Sequence, residues 1–320
     1  MMAKSQLDSS YILKLSEDDE LRILVTGGSG FIGSNVVGLA RSRSWDVENL
    51  DISPNSDINS DIRDIDWESI DLSRFDAVIH LAALISVPES FENPERYFQV
   101  NVEATERLFF HCVKNAVPKV IFSSSAAVYG SSKNERKIVG QESPPDSPYA
   151  ETKLSGEKLA EKYSTSVTEF IAFRFFNVFG PGQSADSPYA SVIPKFVRNL
   201  CSGKPVTIDG DGLQTRDFIH VMDVARAIIS ASEKRSGTPF EIINLGTGNG
   251  ISIIELANLM KSIVQDLGGN GEPIISHGPK REGDVRDSTA DIEGLDRFIP
   301  VESLSPLEQG IRDLISMEIS

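Results

Sequence analysis

From Leu21 onward the chain alternates short apolar runs with amphipathic stretches. LRILVT has the length of a strand, GGSGFIG is a glycine turn, and SNVVGLARSR repeats its apolar residues at helical spacing. VENLD, FDAVIHLAA and KVIFSSS predict three more strands, each ending in small or polar residues. Between the last two, PERYFQVNVEATERLFFHCVKNA predicts a long amphipathic helix opening at Pro94. Such alternation predicts an α/β fold: a doubly wound parallel sheet of Rossmann type with helices on both faces. Ligands of such sheets bind at the ends of the strands.

After Arg174 the texture changes. FNVFGPGQ is a glycine and proline turn, SPYASVIPKFVRNLC predicts a helix interrupted near Pro194, and KPVTIDGDGLQTRDFIHV predicts two short strands joined by DGDG. VMDVARAIISASE, ISIIELANLMKSIVQ and SPLEQGIRDLIS predict helices. The expected organisation is a mobile tail at 1–20, a nucleotide-binding domain at 21–174, and a smaller α/β substrate region at 175–320. Some segments of the last are expected to return to the first domain.

Charge narrows the partners. Among 320 residues, 31 Lys and Arg stand against 47 Asp and Glu, a formal net charge of -16. A surface of that sign repels nucleic acid and anionic membrane, so neither is expected as a partner, and an anionic substrate needs a locally basic pocket. Cys112 and Cys201 make no disulfide framework. His80, His111, His220 and His277 lack ligand spacing, so no metal site is expected. No apolar run approaches the roughly 18 residues of a membrane helix. The first 20 residues lack the basic start and apolar stretch of a secretion signal, so the expected location is the cytoplasm.

The loop Gly27-Gly28-Ser29-Gly30-Phe31-Ile32-Gly33 follows a strand and opens a helix. Glycines there let the backbone approach a pyrophosphate at a helix N-terminus. Asp51 ends the second strand, 18 residues past Gly33. A carboxylate at that place accepts hydrogen bonds from an adenosine ribose and repels a 2′-phosphate, so the expected cofactor is NAD and not NADP. Asp61 and Ile62 are candidates to flank the adenine. Tyr149 and Lys153, four apart, share one helical face. A nearby ammonium, together with a positive nicotinamide ring, is expected to lower the phenol's pKa toward neutrality.

The combination of the glycine loop at 27–33, HLAA at 80–83, Asn101, SSS at 123–125 and YxxxK at 149–153 resembles the extended short-chain dehydrogenase/reductases, in their NAD-dependent epimerase/dehydratase group. The resemblance runs from about Leu21 to the C-terminus and is nearest to the UDP-glucose and UDP-N-acetylglucosamine 4-epimerases. It implies Ser125, Tyr149 and Lys153 as the catalytic group. It puts Leu81, Ala82, Ala83, Asn101, Ser123 and Phe176 around the cofactor, with Ser124 beside Ser123 on the nicotinamide side. It implies Asn177, Arg216 and Arg281 for the diphosphate, Asp284 for the ribose, and Val192, Ser125, Tyr149 and Ser288 for the rest of the substrate. Family dehydratases carry Asp and Glu after the catalytic hydroxyl residue, and nucleotide-sugar decarboxylases a Glu at the second of those positions; here these are Ala126 and Ala127.

The resemblance therefore implies 4-epimerisation of a UDP-sugar. Tyr149 takes the C4 hydroxyl proton while tightly bound NAD takes the C4 hydride, the 4-keto sugar turns over, and the hydride returns to its other face. Small Ser288, where hexose-restricted enzymes have Tyr, implies room for 2-acetamido sugars. Leu84 stands where several UDP-glucose epimerases have Lys, which leaves UDP-glucuronate epimerisation open. A nucleotide-sugar reductase or dehydrogenase, and a non-catalytic NAD-binding protein, are the other readings. GTGNG at 246–250 reads as a turn before a helix in preference to a second phosphate loop. The helices near 94–115 and 148–163 imply a homodimer by resemblance.

Overall fold

A computed structural model describes residues 20–185, 191–269, 274–280 and 285–319. The chain begins with β1 (Arg22–Thr26), α1 (Phe31–Ser42), β2 (Asp46–Asp51), β3 (Ile58–Asn59) and β4 (Ala77–His80). Next come α2 (Val87–Glu92), α3 (Pro94–Phe98), a π-helical turn at Gln99–Glu103, α4 (Ala104–Lys114) and β5 (Lys119–Ser125). They are followed by β6 (Arg136–Lys137), α5 (Pro148–Tyr163), β7 (Glu169–Phe175) and β8 (Asn177–Phe179). The remainder is α6 (Val192–Cys201), β9 (Val206–Asp209), β10 (Thr215–His220), α7 (Val221–Glu233), β11 (Phe240–Leu245), β12 (Gly250–Ser252), α8 (Ile253–Asp266), β13 (Ile275–Gly278), β14 (Thr289–Ala290) and α9 (Leu307–Ile319).

Seven strands form the main sheet in the order β11-β7-β5-β4-β1-β2-β3, with every pairing parallel. Its central strands are buried along nearly their whole length, which is why they read as continuous apolar runs and not as alternating ones. On one face Val36, Val37 and Ala40 of α1 meet Val224, Ala225 and Ile228 of α7. On the other, Leu108 and Phe109 of α4 and Ala160 of α5 cover Phe122 and Phe170. A separate core joins α6, α8 and α9 through Phe196, Leu200, Leu256, Met260 and Ile311.

Several local expectations need correction. The strand predicted over FDAVIHLAA stops at His80, and Leu81 to Ala83 are loop. The helix predicted from Pro94 widens into the π-helical turn around Asn101. Pro194 does not interrupt α6: the helix starts at Val192, so the proline sits in the first turn, where its missing N–H goes unneeded. The two strands joined by DGDG are not partners. β9 pairs with β13, and β10 lies between β8 and β12. β11 follows α7 and pairs with β7, so this part of the C-terminal half completes the main sheet.

The helix that carries Tyr149 and Lys153 has a strong start. Ser147 accepts the Ala150 amide at 3.1 Å, and Pro148 occupies the first helical position. Gly156 lets α5 lie close on the sheet: a Cβ there would stand 2.3 Å from Cζ of Phe122. Gly156→Val should therefore push the helix off β5, lowering the unfolding free energy by about 1–3 kcal/mol as read by urea denaturation.

Candidate active site

A cleft of about 510 Å³ runs along the C-terminal ends of β1, β2, β4 and β5. Its floor begins at the glycine turn. Gly27 has φ +74°, and a Cβ on it would stand 2.6 Å from the Ala82 nitrogen; one on Gly33 would stand 2.1 Å from the Gly27 carbonyl oxygen. Both contacts are too short for any side chain, so α1 and the β4 loop approach only because these positions are glycine. Gly27, Gly30, Phe31, Ile32, Gly33, Asp51, Asp61, Ile62, Leu81, Ala82, Ala83, Ser123, Tyr149 and Lys153 all line the cleft. Asp51 accepts the Ser29 amide at 3.0 Å and the Ser53 amide at 2.9 Å, which holds its carboxylate at the end of β2. Asp61 pairs with Arg63 at 2.8 Å, and that hydrogen bond holds its carboxyl below the usual range.

Beneath the cleft a directed chain of hydrogen bonds sets the loop after β4. The Thr105 hydroxyl donates to the Asn101 carbonyl at 2.8 Å, so it must accept from Nε2–H of His80, 2.8 Å away. Nδ1 of His80 is then bare and accepts from the Thr26 hydroxyl at 2.7 Å, whose oxygen takes the Ala82 amide at 3.3 Å. Burial pushes the His80 pKa down to about 3, so the ring is neutral. Asn101 does not line the cleft. Its amide accepts the Leu84 N–H at 2.8 Å and donates to the Leu84 carbonyl at 2.9 Å and to Thr152 at 3.1 Å, which pins the wall to α5.

The serines at the end of β5 divide their work. The Ser123 carbonyl accepts from Lys153 Nζ at 2.9 Å. Although Ser124 borders the cleft, its hydroxyl donates to Glu157 beneath, so it is not turned to the nicotinamide side as expected. Alternation along the strand is the reason. Glu157 also grips Arg174 through two bonds of 2.8 Å, Glu142 takes a third, and the guanidinium lies 4.7 Å from the Tyr129 ring centroid. Ser125 Oγ accepts the Ala127 amide at 3.1 Å, and its side chain lies near enough to the Tyr149 hydroxyl to favour the ionised phenol.

Burial pushes the Tyr149 phenol above its ordinary value, with the Ser125 hydroxyl only partly opposing it. The expected lowering is therefore not produced by the chain alone. Lys153 is itself pushed down to about 7 by burial, which weakens the ammonium field that the expectation relied on.

Of the other substrate candidates, Asn177 and Arg216 lie outside this cleft, on the small sheet. Asn177 stands opposite Phe218 in the β8–β10 pairing, and the Ser288 carbonyl accepts the Asp217 amide at 3.0 Å beside Arg216. Val192 opens α6. Arg281 and Asp284 lie outside the described residues, as does the segment 1–19. Phe176 needs correction: Phe175 lines the cleft, whereas Phe176 packs with Val128, Tyr129 and Ala290. Ser29, Ser53, Ser60, Arg63, Ile85, Arg96 and Val100 also line the cleft and were not foreseen. The Ser that follows Asp51 by two is a turn signal that pointed to Ser53; the others come from loops and a helix whose approach no local pattern encodes. Among the described residues no group of three or more His, Cys, Asp or Glu is placed to hold a metal, and no helix is long and apolar enough to cross a membrane.

The glycine cradle and the β2 carboxylate stand at one end of the cleft and the Tyr–Lys pair at the other, all at the C-terminal edge of a doubly wound parallel sheet. The chain belongs to the NAD dependent epimerase/dehydratase family, whose model matches residues 23–246, and NAD is its cofactor. It is 36% identical to the putative UDP-glucose 4-epimerase of Methanocaldococcus jannaschii, over 82% of this chain and 87% of that one. Among solved structures, the UDP-N-acetylglucosamine 4-epimerase from Methanobrevibacter ruminantium M1, in complex with UDP-N-acetylmuramic acid, superposes with TM-score 0.83 at 35% identity, covering 94% of this chain and 98% of that one. MoeE5 in complex with UDP-glucose and NAD superposes with TM-score 0.81 at 33% identity, covering 93% and 100%.

Two titrations follow. His80 should remain the neutral Nε2–H tautomer from about pH 5 to 8, read by nitrogen NMR of the ring; a protonated ring at pH 6 would contradict the chain of bonds. Lys153 has a folded pKa of about 7 against 10.5 in the unfolded chain, so the unfolded state holds more protons between those values. Stability should thus rise with pH across that window, and Lys153→Met should remove the rise in denaturation curves taken without ligand.

Proposed function

We propose that the protein is an NAD-dependent epimerase that inverts C4 of a UDP-sugar through a transient 4-keto intermediate, with the cofactor retained between turnovers. The carrying observation is the sparseness of acid–base groups at the serine end. Ser125, Tyr149 and Lys153 can hold and move one proton; Ala126 and Ala127 add none, and Glu142 and Glu157 below are committed to Arg174. The carboxylates that line the cleft, Asp51 and Asp61, stand at its other end, on the β2 and β3 side. Eliminating water needs an acid and a base at the sugar, and this arrangement supplies a single proton-transfer pair.

Gly27, Gly30, Phe31, Ile32 and Gly33 would hold the NAD diphosphate and Asp51 its adenosine ribose; when bound, NAD supplies reversible hydride acceptance. Tyr149 exchanges the proton of the C4 hydroxyl, Ser125 holds the same oxygen, and Lys153 anchors α5 through the Ser123 carbonyl. Because burial raises the Tyr149 pKa, the phenol keeps its proton and cannot accept the C4 proton until a positive charge stands beside it and favours the phenolate. Proton removal is thereby tied to an oxidised site.

Asn177, Arg216 and Arg281 are proposed for the diphosphate, Asp284 for the ribose, and Val192 and Ser288 for the remaining substrate contacts. A protein of net charge -16 needs guanidinium groups at that place. Ser288 supports admission of UDP-GlcNAc and UDP-GalNAc beside UDP-Glc and UDP-Gal, in keeping with the activity named for the Methanobrevibacter enzyme. The division into a cofactor domain at 21–174 and a substrate region at 175–320 belongs to the same reading, with α7 and β11 returning to the first. So does a homodimer, for which the support is Phe98 and Phe110, each 48% exposed on α3 and α4.

Purified protein mixed without added cofactor with UDP-Gal, UDP-GlcNAc or UDP-GlcA should convert a substrate to a two-epimer mixture, followed by proton NMR. Tyr149→Phe should lower kcat by about 100- to 10,000-fold. Ser288→Tyr should lose the acetamido sugars and keep the hexoses. Full turnover by Tyr149→Phe, or equal loss of both sugar classes in Ser288→Tyr, would contradict these assignments.

A further inference from the structure

GTGNG has the look of an anion loop, and the structure supplies its anion from within the chain. The Asp217 side chain is 0% exposed, and its carboxylate accepts hydrogen bonds from three backbone amides and one hydroxyl. Oδ1 takes the Thr247 N–H at 2.8 Å and the Thr247 hydroxyl at 2.6 Å. Oδ2 takes the Gly248 N–H at 2.8 Å and the Ala290 N–H at 3.1 Å. Gly248, at φ +73°, and Gly246 make the approach possible: a Cβ on Gly246 would stand 2.7 Å from Cβ of Ala290 and 2.9 Å from Oδ2 of Asp217. Burying a carboxylate is costly unless its oxygens are filled, and these are.

Two of the three segments gathered by this carboxylate carry proposed substrate residues. Arg216 precedes Asp217 on β10, and neighbouring residues of a strand point to opposite faces. The stretch 286–290 runs beside β10: the Arg286 carbonyl accepts the Thr215 amide at 2.9 Å, and the Ser288 carbonyl accepts the Asp217 amide at 3.0 Å. Thr215 Oγ1 donates to Asp287 at 3.0 Å. Asp217 thus holds the stretch twice, by its backbone at Ser288 and by its side chain at Ala290. The spacing between Arg216 and Ser288 depends on that register.

We infer that Asp217 is a positioning residue for substrate binding, an internal anion that occupies the 246–248 loop and locks Ser288 against Arg216 so that the site takes a nucleoside diphosphate. This rests on the reading of Arg216 and Ser288 given above. The loop is consequently closed to a second phosphate.

The test is binding of UDP by calorimetry, with NAD content and thermal stability measured on the same samples. Asparagine is the informative change, because in either flip its NH₂ faces two donors that a carboxylate oxygen accepted. Asp217→Asn should weaken UDP binding ~10-fold or more, the scale of one lost buried hydrogen bond, while retained NAD stays at the wild-type level. Thr247→Val should shift affinity in the same direction and Thr247→Ser should restore it; this pair decides the matter if Asp217→Asn does not fold. Unchanged UDP affinity in Asp217→Asn, or in Thr247→Val, would overturn the inference and leave the epimerase reading standing, as would parallel loss of NAD and UDP, which marks a general structural role. A wild-type protein that binds neither UDP nor a UDP-sugar would overturn the reading and this inference together.

Discussion

The bond from the Lys153 ammonium to the Ser123 carbonyl, 2.9 Å long and fully buried, locks α5 to the end of β5. Every other feature at the serine end depends on that distance. Glu157, one turn beyond Lys153, reaches the next serine of β5, and Gly156 removes the side chain that would have held the two elements apart. Tyr149, one turn before Lys153, then meets Ser125. Three residues at intervals of four on one helix face meet three successive residues of one strand, so a single docking geometry sets all three contacts.

That docking is electrostatically costly, and the fold offsets the cost locally. Among the described residues Lys153 has no carboxylate partner, and burial brings its pKa to about 7. Two carboxylates nearby, buried Glu157 and half-buried Glu142, are instead arranged around Arg174, whose guanidinium satisfies both while resting on Tyr129. Keeping the acids on the arginine leaves the cleft end free of competing proton donors. It also leaves the phenol's ionisation to be governed by whatever charge enters the cleft.

The same economy recurs in the second lobe. Where β10 crosses the turn after β11, both oxygens of a buried carboxylate are filled by N–H and O–H donors of its own chain. His80 repeats the principle with a neutral ring, both nitrogens committed to threonines, between the first and fourth strands and the helix that follows. Both of these buried polar groups are joined into closed sets, which makes them rigid supports for the loops above them.

Much of the fold was legible in the chain alone. Continuous apolar runs ending in small residues encode buried parallel strands, and Ser147-Pro148 encodes a helix start, because both depend on neighbours within a few positions. The glycines at 27 and 33, Asp51, and the Tyr149–Lys153 pair were readable for the same reason, and all of them line one cleft. Direction and partnership were not readable. That Ser124 turns to Glu157, that Phe175 and not Phe176 faces the cleft, that β9 and β10 join different sheets, and that Asp217 fills the GTGNG turn are settled by contacts spanning 30 or more residues. Local sequence determines which groups can do chemistry and in what element they sit; only the packed chain, where each buried donor must find an acceptor, decides which way they point.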